Sequence, residues 1–216
     1  MQLPSWVSSD ETKPAPMPLL RVQSFINTRD IESGADQLLE LESGRAWLAA
    51  AGLITTEATV SAAQLRAARS TREALRALVK HNGSGTAPTS DDLRPLQSIA
   101  GSRGAAVRVD LSGRIQLGVG DATDLRGGLL GLLLTIGDAQ ADGTWSRLKL
   151  CANTECEWAF FDRSRNRQGS WCTMAICGNR LKNRRFRSRQ QPVGARALLE
   201  DVHRTRDDQP DRHKRD

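Results

Sequence analysis

Four cysteines, Cys151, Cys156, Cys172 and Cys177, are the only ones in the chain and fall within 27 residues. They form two C-x4-C pairs separated by fifteen residues. Each pair can supply two corners of a tetrahedron, so the four thiolates together can close one structural Zn²⁺ site. The segment then continues as Cys177-Gly178-Asn179-Arg180-Leu181-Lys182-Asn183-Arg184-Arg185-Phe186-Arg187-Ser188-Arg189. Such a cationic stretch beside a metal site has the chemistry of a phosphate-binding surface. The candidate nucleic-acid contacts fall into two groups: Arg163, Arg165, Asn166 and Arg167 in a polar loop, and Arg180, Lys182, Arg184, Arg185, Arg187 and Arg189 along an expected basic helix. On a helix, Arg180, Arg184 and Arg187 lie near one face, with Lys182, Arg185 and Arg189 on its neighbour. Guanidinium forks suit phosphates and guanine edges. A solvated face is the alternative, but acidic residues are absent between Asp162 and Arg189, whereas solvated helices mix signs.

The charge is unevenly spread. Residues 147–190 hold eleven Lys and Arg against three Asp and Glu, whereas 196–216 balance six against six. Residues 1–146 carry fourteen against sixteen. The basic character therefore belongs to the cysteine segment, which argues for a dedicated anionic partner there. No apolar run reaches the ~18 residues of a membrane span; residues 125–136 are broken by Arg126 and three glycines. The N-terminus lacks the basic start and apolar core of a secretory signal, so a cytoplasmic location is expected, where paired cysteines bind metal more often than they form disulfides. No enzyme is expected. Four cysteines leave zinc no open position, the histidines His81, His203 and His213 are dispersed, and Gly118-Val119-Gly120 lacks the rest of a phosphate loop.

Several elements must position these residues. Residues 1–18 hold four of the eight prolines and read as a disordered leader. Residues 19–26 read as a short strand. Helical spacing runs over 33–51, with Leu38, Leu41, Trp47 and Leu48 on one face, and over 59–81, ended by Asn82-Gly83. A short helix is expected over 91–100, a hairpin from 105–110 and 114–119, and a buried helix over 121–139. The fold class is α+β: a mainly helical domain over 19–146 with a small antiparallel sheet, then a zinc finger over 147–190 and a charged mobile tail over 191–216.

Within the cysteine segment, residues 147–151 and 157–162 are strand-like, and Asn153 and Thr154 suit a knuckle between them. Thr173 is the expected N-cap of a helix starting at Met174 and running to about Arg189. That plan is treble-clef-like, with a hairpin knuckle supplying two ligands and a helix start supplying two. Trp158, Phe160, Phe161, Trp171 and Phe186 crowd the site. Packing over the metal and base stacking are their competing roles, with Trp171 the nearest to the basic loop. Arg180 can serve a phosphate or the thiolate cluster.

These residues resemble the CGNR zinc finger. Asp162, Ser164, Arg165 and Asn166 match its D-x-S-R-N loop, Trp171, Cys172 and Met174 match its tryptophan-cysteine-methionine element, and Cys177-Gly178-Asn179-Arg180 match its name. Such fingers follow a domain called ABATE in a family regarded as stress-induced transcription regulators. The N-terminal part is similar through Asn27-Thr28, but Gln23-Ser24 stand where the family has an acidic residue; a pocket that used that acid would be altered. The resemblance implies one structural Zn²⁺, DNA as partner and an N-terminal domain that senses a small effector or dimerises. A homodimer presenting two fingers is expected, since one finger buries little surface. RNA or ribosome binding, or a structural protein-docking module, is the alternative.

Overall fold

The computed structural model describes residues 3–101, 106–109, 115–118 and 124–180. The chain divides into two compact units, one up to Thr173 and one from Met174. The described residues of the first unit form five α-helices, α1 (Leu19–Ile26), α2 (Leu41–Ala50), α3 (Ala62–Ser84), α4 (Ser90–Ala100) and α5 (Leu125–Ala141), a short 3-10 turn (Trp145–Arg147) and two antiparallel pairs of strands. Strands β1 (Ala106–Val109) and β2 (Ile115–Gly118) pair with Val107 opposite Leu117. Strands β3 (Leu148–Leu150) and β4 (Ala159–Phe161) pair with Lys149 opposite Phe160. The α+β class is as expected.

The long helices form where apolar spacing and caps agree. Helix α3 starts with a reciprocal cap, in which Gln64 N donates to Ser61 Oγ and Ser61 N donates to Gln64 Oε1. It ends at Gly85, whose φ of 71° suits glycine. Thr89 and Asp92 cap α4 in the same way. Asp124 caps α5 by accepting from Gly127 N.

Three expectations are corrected. Residues 19–26 form α1, not a strand, because eight residues are too few for the two periods to be told apart. As a helix it puts Gln23 and Asn27 on one face, where both reach Ala159. The helix expected over 33–51 starts only at Leu41: Asp36 is taken by the buried Arg72, and residues 31–40 turn around that pair. The leader is not disordered over 3–18. Val7 and Ala15 join the core, Trp47 Nε1 donates to Trp6 O, and Phe161 N donates to Lys13 O.

The domain boundary expected at residue 146 is not a break in packing. Leu148, Ala159 and Phe161 belong to the same core as α1, α3 and α5. Asn82, at the end of α3, donates to Trp145 O and Leu148 O. The second unit is described only over 174–180, where Met174–Gly178 form one π-helical turn. The expected tail over 191–216 lies outside the described residues.

Candidate metal centre and nucleic-acid interface

The first two cysteines flank a knuckle set by backbone hydrogen bonds. Cys151 N donates to Trp158 O, and both Cys156 N and Glu157 N donate to Asn153 O. Glu157 takes a φ of 45° to leave this turn. Cys172 is fixed by its carbonyl, which accepts from Thr12 Oγ1 at 3.2 Å. Cys177 lies in the π-helical turn. There Gly178 leaves room for Met174, whose Sδ would lie 2.5 Å from a Cβ, and Asn179 Nδ2 donates to Ala175 O. The helix expected from Met174 to about Arg189 begins here, with Asn179 and Arg180 continuing in helical geometry, and its remainder lies outside the described residues. Thr173 Oγ1 is buried without a partner among the described residues, so the expected side-chain cap is not made.

All four cysteines are buried and none is in a disulfide. Their Sγ atoms lie within 4.8 Å of one another, with Cys156 and Cys172 3.7 Å apart. A tetrahedral zinc thiolate site has S···S edges of about 3.8 Å, so this donor set fits such an ion. The crowding already biases ionisation. Hydrogen bonds with Cys156 and Cys172 pull the Cys151 thiol down, and bonds with Cys151 and Cys172 push Cys156 up. A bound cation would allow all four to ionise.

The polar loop is organised by Asp162, which is 3% exposed. Its carboxylate accepts from Ser164 N at 3.0 Å, Gly169 N at 2.8 Å and Lys149 Nζ at 2.9 Å. Arg147 closes the loop from behind by donating to Asp162 O and Ser164 O. A Cβ on Gly169 would lie 2.6 Å from the Asp162 carboxylate, which explains the glycine. Held this way, Arg163, Arg165, Asn166 and Arg167 are all exposed on one loop. Arg163 donates to Pro14 O at 2.8 Å, and Arg167 reaches Ser146 Oγ at 3.4 Å. Asn166 bonds locally to Gln168, and Arg180 is exposed. Lys182, Arg184, Arg185, Arg187 and Arg189, with the expected basic helix, lie outside the described residues.

Of the five aromatic rings, Phe160 and Phe161 are buried, and Lys13 Nζ sits 4.9 Å above the Phe160 ring centre. Trp158 and Trp171 are half-buried, and Trp158 Nε1 donates to Glu11. Phe186 lies outside the described residues.

The residues that the sequence reading missed are those that hold the knuckle to the helices. Gln23 is fully buried and donates to both Lys13 O and Ala159 O while accepting from Ala15 N. A carboxylate could not make those two donations, so glutamine here is a structural choice. Asn27 brackets the same residue, accepting from Ala159 N and donating to Ala159 O, both at 2.8 Å. Arg76 donates to Ile26 O and to Glu157 O, tying α1 and the knuckle to α3. The one signal was Asn27-Thr28 itself, an amide and a hydroxyl at the end of an apolar run. Thr28 Oγ1 accepts from Arg72.

A separate groove of about 940 Å³ opens between α3, α4 and the start of α5. Ala67, Ile99, Leu125 and Leu129 line it together with the exposed Arg94 and Arg126. No helix among the described residues is long and apolar enough to cross a membrane.

Comparison with known families agrees with this geometry. A model of the CGNR zinc finger matches residues 147–190, the span that holds all four cysteines and the loop. A model of the ABATE domain, described as "Putative stress-induced transcription regulator", matches residues 21–142. No curated protein matches the chain. With more than half of its length covered by that second model and a CGNR finger following it, the chain belongs to the ABATE family.

Proposed function

We propose that this protein is a zinc-dependent, DNA-binding transcriptional regulator. Cys151, Cys156, Cys172 and Cys177 would hold one structural Zn²⁺. The loop residues Arg163, Arg165, Asn166 and Arg167, with the basic segment from Arg180 to Arg189, would contact the duplex. The observation that carries the reading is the pairing of a buried four-cysteine cluster with an adjoining loop whose carboxylate is turned inward and whose arginines face solvent. The role is binding, not catalysis, since four thiolates leave zinc no open position. In the same reading the protein acts as a dimer in the cytoplasm, and the groove lined by Arg94 and Arg126 takes a small effector.

The test is fluorescence anisotropy of zinc-quantified protein on duplex DNA across a salt series. Binding that needs zinc and weakens steeply with salt is expected. Replacing Arg184 and Arg185 by Ala should flatten the slope by about two contacts' worth, roughly 1.8 in log–log units. One zinc per chain with no DNA binding at any salt would reject the reading in favour of a protein-docking role. Displacement of duplex by structured RNA would replace DNA with RNA. Sedimentation of the protein with and without DNA reads the dimer directly.

A further inference from the structure

A cavity of about 630 Å³ lies within the first unit, between the last turns of α3 and the polar loop. Lys80, Asn82 and Gly83 form one side, and Arg167, Gln168 and Ser170 the other. Its lining mixes apolar surface with polar side chains, among which three cations, Lys80, Lys149 and Arg167, stand against a single lining carboxylate, Glu157. Lys149 is buried and committed to Asp162 and to the Arg167 carbonyl. Lys80 differs. Its side chain is 57% exposed, and its Nζ lies 3.0 Å from Glu157 Oε1. The carboxylate side is 19% exposed but the ammonium faces solvent, so a phosphate oxygen can compete with Glu157 for it.

We propose that the DNA-contacting surface does not end with the finger but continues across this cavity onto α3, where Lys80 anchors a backbone phosphate and Glu157 is the group that phosphate displaces. The proposal rests on the DNA reading above. Continuity argues for duplex backbone over a small anion: Arg167 belongs both to the cavity and to the loop bearing Arg163 and Arg165, so one strand passing the loop meets Lys80 next. The cavity walls come from residues near 80 and near 168: Val79 sits in the core, and the loop is tied to β3 through Lys149, Asp162 and Gly169, so both walls are anchored. The ABATE domain would thereby contribute directly to DNA affinity.

The experiment measures duplex-DNA affinity across a salt series for the full-length zinc protein and four variants, one of them the Arg184→Ala, Arg185→Ala double substitution. Lys80→Ala should weaken binding about threefold to tenfold and reduce the log–log salt slope by about 0.9, one phosphate's worth. Lys80→Arg should retain both. Glu157→Gln should change affinity in the opposite direction, binding more tightly, because it removes the competing charge. Zinc content and melting temperature are read alongside. If Lys80→Ala and Glu157→Gln both bind like the parent while the Arg184 and Arg185 substitutions weaken binding, the cavity is not a contact and the DNA reading stands alone. If the Lys80→Ala loss tracks a lower zinc content or melting temperature, Lys80 is structural and the proposal falls. If the parent protein binds no duplex at any salt, both readings fall together.

Discussion

At the residue scale the loop depends on one carboxylate. Burial alone would raise the pKa of Asp162, but hydrogen bonds from Ser164, Lys149 and Gly169 outweigh it and hold the carboxyl well below the usual range. Its folded pKa is therefore below the unfolded value near 3.9, so its stabilisation is present above that value and is lost as pH falls through the folded pKa. Replacing Asp162 by Ala leaves Lys149 buried and unpaired and should cost about 3 kcal/mol at neutral pH. In urea unfolding, the gap between parent and variant should narrow below about pH 4. A gap that does not change with pH would mean that the loop is held by packing. Glu11 has the opposite balance. Burial is the largest effect and keeps its carboxyl above the ordinary value despite bonds from Lys13, Trp158, Gln23 and Asn27. Its contribution favours the fold at acidic pH, so the comparison with the Asp162 variant is needed to isolate one group. Neither role could be read from the sequence, where Asp162 was one matched letter of a motif and Glu11 part of a leader.

At the element scale, α5 shows how close packing selects residues. A Cβ on Gly128 would lie 1.9 Å from the Leu53 carbonyl oxygen, a backbone atom that cannot swing away. Gly137, on the same helix, has open space around the corresponding position. Gly128→Ala should therefore destabilise the protein by about 1–3 kcal/mol or more, whereas Gly137→Ala should stabilise it by about 0.5–1 kcal/mol through helix propensity. Thermal unfolding of the two variants should shift in opposite directions, and a parallel shift would contradict the packing described. Helices α3 and α4 were readable because their spacing and end signals agree, and α5 because its apolar stretch is too long for a strand. Helix α1 was not. Its eight residues span only about two turns, and Gln23 and Ser24 are buried along with its apolar residues, so residue polarity did not mark a solvent face.

At the scale of the whole molecule, the cysteine segment up to Thr173 shares its core with the helical domain, and residues 11–14 strap the two together. Thr12 donates to Cys172 O, Lys13 to Trp171 O, and Arg163 to Pro14 O. Metal occupancy should therefore be felt well away from the sulfurs. After chelation, hydrogen exchange should quicken at Phe161 and Ala159, whose amides donate to Lys13 O and Asn27 Oδ1, and at Ala15, whose amide donates to Gln23. The amides of mid-α5 should change least. Exchange that rises only beside the cysteines would show the strap to be independent of the metal.

The sequence by itself determined the four-cysteine cluster, the localisation of positive charge, the family and the long capped helices. Each of these is carried by residue identity and spacing within one short stretch. Only the tertiary structure decided that the leader is ordered, that Gln23 and Asn27 hold Ala159, and that Asp162 and Lys149 pair beneath the loop. Those features depend on hydrogen bonds to backbone carbonyls and amides far away in the chain, as between Thr12 and Cys172, 160 residues apart. A backbone carbonyl is present at every residue, so nothing in the side-chain pattern marks which one will be used until the core has brought it into place.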